Sequence, residues 1–362
     1  MKYLLIDGNN LAIRSSCGNL DLTNTEGGTS GVHYGVMQSL IGFKQKFNDY
    51  EFLVVWDGKS ERRKKEASVG VELGMIKSGY KENRPTGDEK PQGIINFQSQ
   101  SRVLKLAIDN LGIPQIRLNN YEADDVIASY CKKLNNGENE IICVTTDKDY
   151  FQLLDDKIHI WNGMKNEMIT KTIWCNQNKI EPKQHVDVGA LSGDTGDNIF
   201  GIPGWGEKTS LKYVQSYGGY KDVFSYLHGK YDSVRKDFPD VKGDEFKKLF
   251  NLCSEKEQNK KDNGEPWKGK YPEIIEECPF TGVALAFEEK RWKPKKASGV
   301  KNEILALMFE KRVDLAYSLK KMDSDIDDLP EIHRLPSDMG KIMEYLNYFD
   351  IYSIQDEIKV FS

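Results

Sequence analysis

The chain has 362 residues and a net charge of −5, and 38% of its residues are hydrophobic and 30% charged. This composition excludes a wholly disordered chain, and the length suits two domains or one large domain with appendages. The acidic balance argues against a nucleic-acid partner, because phosphate binding relies on clustered lysine and arginine. No stretch approaches the roughly 20 apolar residues of a membrane span. The six scattered cysteines lack a C-x-x-C pair, so we expect a cytoplasmic protein without structural zinc, disulfides or membrane contact.

Short apolar runs alternate with helical stretches in the first half of the chain. Runs typical of buried strands occupy residues 3–6, 52–56 and 141–145, and residues 35–47 and 122–134 have helical spacing. This alternation predicts an α/β fold with a central, mainly parallel sheet and helices on both faces.

Each predicted strand runs into an aspartate, namely Asp7, Asp57 and Asp147. A single aspartate there is commonly a turn or cap residue. In an open α/β sheet, however, ligands bind outside the carboxyl ends of the strands. Three strand ends that each supply a carboxylate therefore predict a shared acidic site.

Further carboxylates are clustered along the chain. Three lie at the head of a predicted helix, two are spaced i and i+2 after the third strand, and two are three apart, as in one helical turn. Like charges this close repel one another, and a divalent cation would compensate them. The set contains no histidine, which favours Mg²⁺, with Mn²⁺ as a substitute, and its size suits two ions. The nine candidates are Asp7, Asp57, Glu122, Asp124, Asp125, Asp147, Asp149, Asp194 and Asp197.

Two segments are basic. Residues 59–84 carry eight basic and four acidic side chains, which fits either a solvated helix face or a flap over the acidic crevice. Residues 290–301 form a second basic patch next to an exposed, polar insertion at about 254–300. Helices are expected over 302–319 and 339–349, separated by an acidic loop at 323–328.

A glycine-rich segment spans residues 201–210. It is not a Walker A motif, because Glu207 separates Gly206 from Lys208 and no strand precedes it. We predict a hairpin between helices at 185–192 and 208–215. Its glycines, Gly201, Gly204 and Gly206, would let backbone N–H groups approach a phosphate. A plain helical turn is the alternative.

Five motifs, in this order, resemble the 5′-nuclease (flap endonuclease) family: IDGNN, VWDG, YEADD, TTDKDY and GDTGDNIFGIPGWGEKT. The family includes the 5′-nuclease domain of bacterial DNA polymerase I, bacteriophage 5′-exonucleases and a phage ribonuclease H. The resemblance covers about residues 1–220. It implies that Asp7, Asp57, Glu122 and Asp124 hold one metal ion, that Asp147, Asp149, Asp194 and Asp197 serve a second, and that Asp125 lies between them.

The resemblance also implies nucleic-acid contacts. Tyr80, Lys81 and Arg84 would belong to a helical arch in which Lys81 and Arg84 act on the scissile phosphate and Tyr80 stacks on a base. Asn10 and Arg14 fit the family pattern after the first aspartate. The glycine hairpin would be a helix–three-turn–helix that grips the duplex around a potassium ion, through Gly201, Gly204, Gly206, Lys208 and Thr209. The chain between residues 63 and 80 is longer than in bacterial members, which leaves the arch geometry open.

The implied organisation is a nuclease core at 1–183 with the arch at 58–100, a helix–three-turn–helix region at 184–250, and a C-terminal region at 251–362. The implied activity is 5′-to-3′ exonuclease and 5′-flap endonuclease, acting on DNA or on RNA primers in RNA–DNA hybrids. We expect a monomer that binds a single-strand-binding protein or another replication protein. If the chain is phage-encoded, we expect it in the cytoplasm of a bacterial host. A PIN-type endoribonuclease and a non-catalytic junction-binding protein remain as alternatives.

Overall fold

The computed structural model describes residues 1–76, 78–238, 280, 283–284, 286 and 300–362. Its strands are β1 (Lys2–Asp7), β2 (Glu51–Trp56), β3 (Gln115–Arg117), β4 (Glu140–Val144), β5 (Ile158–Asn162), β6 (Glu167–Ile169), β7 (Gly193–Asp194) and β8 (Ile199–Phe200). Its helices are α1 (Gly8–Gly18), α2 (Gly31–Lys46), α3 (Glu61–Glu72), α4 (Gln92–Asn110), α5 (Ala123–Leu134), α6 (Lys171–Asn178), α7 (His185–Ser192), α8 (Glu207–Tyr217), α9 (Tyr220–Asp237), α10 (Val300–Met308), α11 (Glu310–Lys320) and α12 (Met339–Tyr348). Short 3-10 helices cover Gly87–Glu89, Lys148–Leu153, Pro182–Gln184 and Glu357–Phe361.

The chain divides into two compact units. Unit 1 comprises Met1–Glu61, Pro85–Gln177 and Met322–Ser362, and unit 2 comprises Arg62–Arg84 and Asn178–Lys321. This division groups the segment after β2 with the second half of the chain. The domain boundaries drawn from the sequence follow motifs instead, and they stay predictions.

Unit 1 is built on a six-stranded sheet with the order β3-β2-β1-β4-β5-β6. The strands from β3 to β5 pair in parallel, and β6 is antiparallel to β5. The predicted α/β class with a mainly parallel sheet is confirmed. The strand order reverses between β1 and β4, and such a reversal opens a crevice at the carboxyl ends of the strands.

Both faces of this sheet are buried. On one face, Leu4 and Ile6 of β1 belong to an apolar cluster that includes Val36 of α2 and Leu346 of α12. Alternate residues point to the opposite face, where Leu5 is fully buried and α5 packs against β1, β2 and β4. This double burial explains why the strands read as continuous apolar runs.

Unit 2 is mainly helical in its described part. Glu303 of α10 is buried and accepts hydrogen bonds from Tyr213 of α8 at 2.6 Å and from the ammonium of Lys230 of α9 at 2.6 Å. Tyr231 donates a third. Burial would raise the pKa of Glu303, but these three donors outweigh it and lower the pKa. One carboxylate therefore joins three helices.

The helices predicted over 122–134, 185–192, 208–215 and 339–349 are confirmed. The single helix predicted over 302–319 is wrong, because the chain turns at Phe309 and forms α10 and α11 instead. There the N–H of Phe309 bonds three residues back, to Ala306 at 2.9 Å, and its ring is buried beneath the guanidinium of Arg312. Nearly all of the 254–300 insertion and the basic stretch at 290–299 lie outside the described residues. Within the described residues, no helix combines the length and apolar character that a bilayer span requires.

Gly58 allows the loop after β2 to lie directly against residues 118–121. Its N–H donates to the carbonyl of Tyr121 at 2.8 Å. A Cβ at this position would lie 2.0 Å from the carbonyl oxygen of Leu118, a distance that only a backbone shift could relieve. The contact places Asp57 beside the N-terminus of α5.

We expect Gly58→Ala to destabilise the protein by about 3 kcal/mol, because overpacking against backbone forces the loop to move. The measurement is urea unfolding, with the change read from the midpoint. Gly42→Ala is the matched control, since Gly42 lies within α2 with open space around its Cα. It should be neutral or stabilise by roughly 0.5–1 kcal/mol. Equal stability of the two variants would show that the loop does not need the close contact between Gly58 and the backbone of residues 118–121.

Candidate active site

Asp7 is the last residue of β1 and caps the start of α1. Its Oδ1 accepts the backbone N–H of Asn10 at 2.9 Å. Its Oδ2 accepts hydrogen bonds from the hydroxyls of Thr145 at 3.4 Å and Tyr150 at 3.3 Å. The side chain is only 8% exposed, so this carboxylate is almost fully removed from water.

Burial and neighbouring carboxylates act together on Asp7. Burial is the largest cause that raises the pKa of Asp7, and the negative charges of Asp57, Asp147 and Asp124 raise it as well. The N–H of Asn10 opposes them, and together these effects bring the pKa to about 8. Asp7, Asp124 and Asp147 also raise the pKa of Tyr150, after burial, so Tyr150 stays a neutral donor. The predicted meeting of three strand-end aspartates is therefore present in unit 1, with Asp124 as a fourth member.

The N-terminus of α5 collects three acidic side chains. The Oδ1 of Asp57 accepts the backbone N–H of Ala123 at 2.9 Å, so Asp57 reaches this helix from the neighbouring strand. Glu122 is the N-cap residue, and Asp124 accepts the N–H of Asp125 at 2.8 Å. Negative charge at a helix N-terminus is stabilised by the exposed N–H groups and the helix dipole. This geometry tolerates an acidic cluster that would be costly elsewhere.

Asp125 differs from its neighbours. It is 1% exposed, and its Oδ1 accepts the backbone N–H of Asp323 at 2.7 Å. Next to it, Ser129 bonds to the carbonyl of Asp323 at 3.1 Å. This placement fixes the segment before α12 on α5, which favours a structural role for Asp125 over the predicted position between two metals.

The loop after β4 carries Asp147 and Asp149. The Oδ1 of Asp147 accepts the N–H of Asp149 at 2.9 Å and caps the 3-10 helix that follows. Asn10 accepts hydrogen bonds from the N–H and hydroxyl of Thr146 at 3.2 and 3.1 Å. Asn10 thus ties this loop to α1, and its predicted nucleic-acid contact stays a prediction. Burial lowers the pKa of Arg14, and the nearby negative charge of Asp7 opposes this effect.

The donor chemistry of this edge fits a divalent cation. Among the described residues, no three His, Cys, Asp or Glu side chains already form a compact ligand group. The charges that raise the pKa of Asp7 nevertheless all come from carboxylates, whose oxygens are the ligands that hard cations prefer. A cation would offset the repulsion that raises the pKa of Asp7. Asp7, Asp57, Asp124 and Asp147 are the residues that could share it.

The other two candidate aspartates, Asp194 and Asp197, lie in unit 2. They belong to a short hairpin formed by β7 and β8, residues 193–200, which we call the acidic hairpin. Gly193 and Gly201 cross so closely that a Cβ on either would lie 2.4 or 2.3 Å from the other's backbone nitrogen. β7 and β8 pair antiparallel, and Gly193 and Asn198 have positive φ values of 73° and 59°. The predicted helical turn for Asp194 and Asp197 is therefore wrong. Backbone crossing at the two glycines imposes the hairpin instead.

Both of these aspartates contact basic side chains of unit 2. Lys320 lies 2.9 Å from Oδ2 of Asp194, and Arg84 lies 2.5 Å from Oδ1 of Asp197. Burial would raise the pKa of Asp194, but Lys320 and two backbone N–H groups outweigh it and hold the pKa below its usual range. Lys81 adds a weaker contact to Asp197 at 3.9 Å.

The arch region is only partly helical. α3 ends at Glu72, and residues 80–84 form turns rather than a helix. Tyr80 is 7% exposed, and its hydroxyl lies 3.3 Å from Oδ2 of Asp197. This burial counts against the predicted stacking of Tyr80 on a base. Arg84 is half exposed, so its guanidinium is accessible to a ligand.

The residues of the glycine hairpin that were predicted to contact nucleic acid fall into two groups, one buried and one exposed. Gly201 is buried, and its carbonyl accepts a hydrogen bond from Arg312, which favours a structural role over the predicted nucleic-acid contact. Gly204 and Gly206 are exposed at the entrance to α8. A groove of about 400 Å³ follows, lined by Trp205, Lys208, Thr209, Lys212, Tyr213, Ser216 and Tyr217. Lys208 and Thr209 therefore line a surface that suits a phosphate backbone.

Sequence reasoning missed four residues of these sites. Tyr150 is the last residue of the TTDKDY motif, so the motif included it, but it was assigned no role from the sequence. Lys212 follows Lys208 by one helical turn, a spacing that could have indicated it. Lys320 contacts Asp194 of the acidic hairpin, and Asn198 of the same hairpin contacts Gly79, each across a long stretch of chain. No local sequence pattern indicates such contacts.

Comparison with known families gives two matches in chain order. Residues 2–183 match the model described as 5′-3′ exonuclease, N-terminal resolvase-like domain. Residues 180–256 match the one described as 5′-3′ exonuclease, C-terminal SAM fold. Together the two matches run through the acidic edge of unit 1 and the glycine hairpin of unit 2.

Curated relatives point the same way. The chain is 32% identical over 235 residues to the thermostable DNA polymerase I of Thermus aquaticus, across 65% of this chain. It spans only 26% of that polymerase. It is 27% identical over 253 residues to a 5′-3′ exonuclease of Aquifex aeolicus, which covers 70% of this chain and 81% of the exonuclease.

Solved structures share the fold. The T5 5′-exonuclease with divalent metal ions (zinc) bound aligns with a TM-score of 0.51 at 18% identity, over 87% of this chain and 100% of that one. The catalytic core of Rad2 in complex with DNA substrate aligns with a TM-score of 0.51 at 14% identity, over 99% and 91%.

We expect Asp7→Asn to raise the free energy of unfolding in EDTA at pH 7 by about 1–2 kcal/mol. A carboxyl whose pKa is raised by folding lowers stability at any pH above its unfolded-state pKa, and asparagine removes this cost while it keeps the cap of α1. Millimolar Mg²⁺ should raise the melting temperature of the wild type more than that of the variant. Asp49→Asn is the control, since Asp49 is an exposed aspartate that pairs with Lys2 at the surface. A variant less stable than the wild type in EDTA would contradict the repulsion.

Proposed function

Because this chain belongs to the 5′-3′ exonuclease family, we propose that it is a divalent-metal-dependent nuclease acting on DNA. It removes nucleotides from 5′ ends and cuts 5′ flaps at junctions of single strand and duplex. The observation that supports this most is the mutual repulsion of four carboxylates. Asp7, Asp57 and Asp147 lie at the carboxyl ends of three adjacent strands, and Asp124 lies in the first turn of α5. An all-oxygen set of this kind suits two-metal hydrolysis of phosphodiesters.

The residues that would hold a first Mg²⁺ are Asp7, Asp57, Glu122 and Asp124. Asp147 and Asp149 would serve a second ion in unit 1, and metal binding by Asp194 and Asp197 stays a prediction from the family resemblance. When bound, the ions lower the pKa of a water molecule and neutralise charge that develops on the phosphate. Tyr150 would keep the carboxylate of Asp7 oriented, because its hydroxyl stays protonated and donates to it.

Lys81 and Arg84 would bind the scissile phosphate. A guanidinium binds carboxylate and phosphate oxygens with the same forked geometry. The carboxylate of Asp197 that now accepts from Arg84 therefore marks a position that a phosphate oxygen could take. Positive charge fixed there stabilises the transition state more than the ground state, since negative charge grows on the phosphate during attack.

The entrance to α8 would grip the duplex by its backbone. Gly204 and Gly206 expose backbone N–H groups at a helix N-terminus, and Lys208 and Thr209 line the neighbouring groove. Helix N-termini bind phosphate through these N–H groups and the dipole. Contacts of this kind carry no sequence information, so recognition should follow the shape of the junction. A potassium ion shared between the glycine turn and the DNA belongs to this proposal.

The direct test compares cleavage of 5′-flap DNA, an RNA–DNA hybrid and single-stranded RNA, each in Mg²⁺ and in EDTA. We expect flap DNA to be cut in Mg²⁺ alone, at the junction. Asp147→Asn should lower the single-turnover rate by about 10²–10³-fold, because charge stabilisation of this kind commonly contributes that much.

Asp155→Asn is the matched control, since Asp155 lies in the same unit but pairs with Lys171; its rate should stay near that of the wild type. Cleavage of single-stranded RNA alone would favour a PIN-type endoribonuclease. Flap binding without cleavage in any metal would favour a non-catalytic junction-binding protein. A wild-type rate for Asp147→Asn would contradict the metal assignment.

A further inference from the structure

Asn198 joins two segments of unit 2 that are far apart in sequence. It is 4% exposed, and its side-chain amide donates to Oγ of Ser78 at 2.8 Å and to the carbonyls of Ser78 and Gly79 at 3.2 and 2.7 Å. It directly follows Asp197 in the acidic hairpin. The segment 78–84 that it holds includes Lys81 and Arg84.

The rest of this contact is formed by backbone groups, by neutral side chains and by ion pairs to Asp197. The N–H of Lys81 donates to the carbonyl of Asp197 at 3.0 Å, and Asn83 donates to the carbonyl of Thr195 at 2.7 Å. Arg84 then reaches the Asp197 carboxylate. The contact is therefore buried at Gly79, whereas it is exposed and charged at Arg84.

Two residues in this contact have left-handed backbones. Lys81 has a φ of 58° and Asn198 a φ of 59°. Such a conformation is costly for lysine and less so for asparagine, and it persists where the surroundings hold it in place. The bonds on either side of Lys81 supply that restraint.

We propose that Asn198 is a positioning residue that fixes segment 78–84 on the acidic hairpin and so sets the reach of Lys81 and Arg84. The inference rests on the proposed function, in which these two side chains bind the scissile phosphate. A buried amide with satisfied donors is costly to break, whereas an exposed ion pair is weak and exchanges readily. Arg84 can therefore leave Asp197 for a phosphate while Asn198 keeps the base of the segment in place.

Asn198→Gly tests this directly, because glycine accepts the positive φ and removes the amide. We expect hydrogen exchange of residues 78–84 to become about tenfold faster, since the segment loses its buried anchor. The single-turnover rate on 5′-flap DNA should fall about tenfold, with little change in DNA affinity. Asn166→Gly is the matched control, since Asn166 has a φ of 51° in an exposed turn between β5 and β6; it should change neither value.

A double variant separates positioning from general stability. If Asn198 acts through Arg84, Asn198→Gly combined with Arg84→Gln should cleave no more slowly than the slower single variant. Losses that multiply, or unchanged exchange of residues 78–84, would overturn the proposal. Asn198→Asp, which is isosteric and turns the donor into an acceptor facing two carbonyls, should reproduce the faster exchange if the glycine variant folds poorly. A wild type that cuts no DNA would defeat the proposed function, and the exchange data would still decide whether Asn198 holds the segment.

Discussion

Repulsion between carboxylates at one edge of the sheet is the constraint on which the rest of unit 1 depends. The parallel register sets the carboxyl ends of β1, β2 and β4 side by side, and each end delivers an aspartate. Burial and these like charges raise the pKa of Asp7 well above that of an ordinary carboxylate. A chain that keeps such an arrangement gives up stability for a charge density that a divalent cation can use.

The two units hold their acidic residues in different ways. In unit 2, Lys320 lowers the pKa of Asp194 and Arg84 bonds to Asp197, so the protein's own cations neutralise the hairpin. In unit 1, the N-terminus of α5 and the hydroxyls of Thr145 and Tyr150 supply neutral donors instead. Dipoles and hydroxyls orient a carboxylate without cancelling its charge. In unit 1 the charges of Asp57, Asp147 and Asp124 still raise the pKa of Asp7, so a repulsion remains that a divalent cation could offset.

Much of the fold and of the acidic edge could be predicted from the sequence, because both follow from local patterns. Apolar runs ending in aspartate gave the strands, and parallel pairing brought Asp7, Asp57 and Asp147 together. The surroundings of Asp125, Tyr80 and the 194–197 hairpin could not be predicted from local patterns. Their surroundings are set by contacts with residues 323, 197 and 201, which lie far along the chain or depend on backbone crossing. Asn198 meets Ser78 across 120 residues, and no periodicity or motif encodes such a contact.

Crystals soaked in Mn²⁺ would test the central claim most directly, since the anomalous scattering of Mn²⁺ locates each ion. We predict anomalous difference peaks at the carboxyl ends of β1, β2 and β4, within coordination distance of the carboxylates of Asp7, Asp57, Asp124 or Asp147. The peaks should vanish in a variant that carries both Asp7→Asn and Asp124→Asn. A well-ordered wild-type crystal with no peak at this edge, or peaks of equal height in the variant, would contradict the claim.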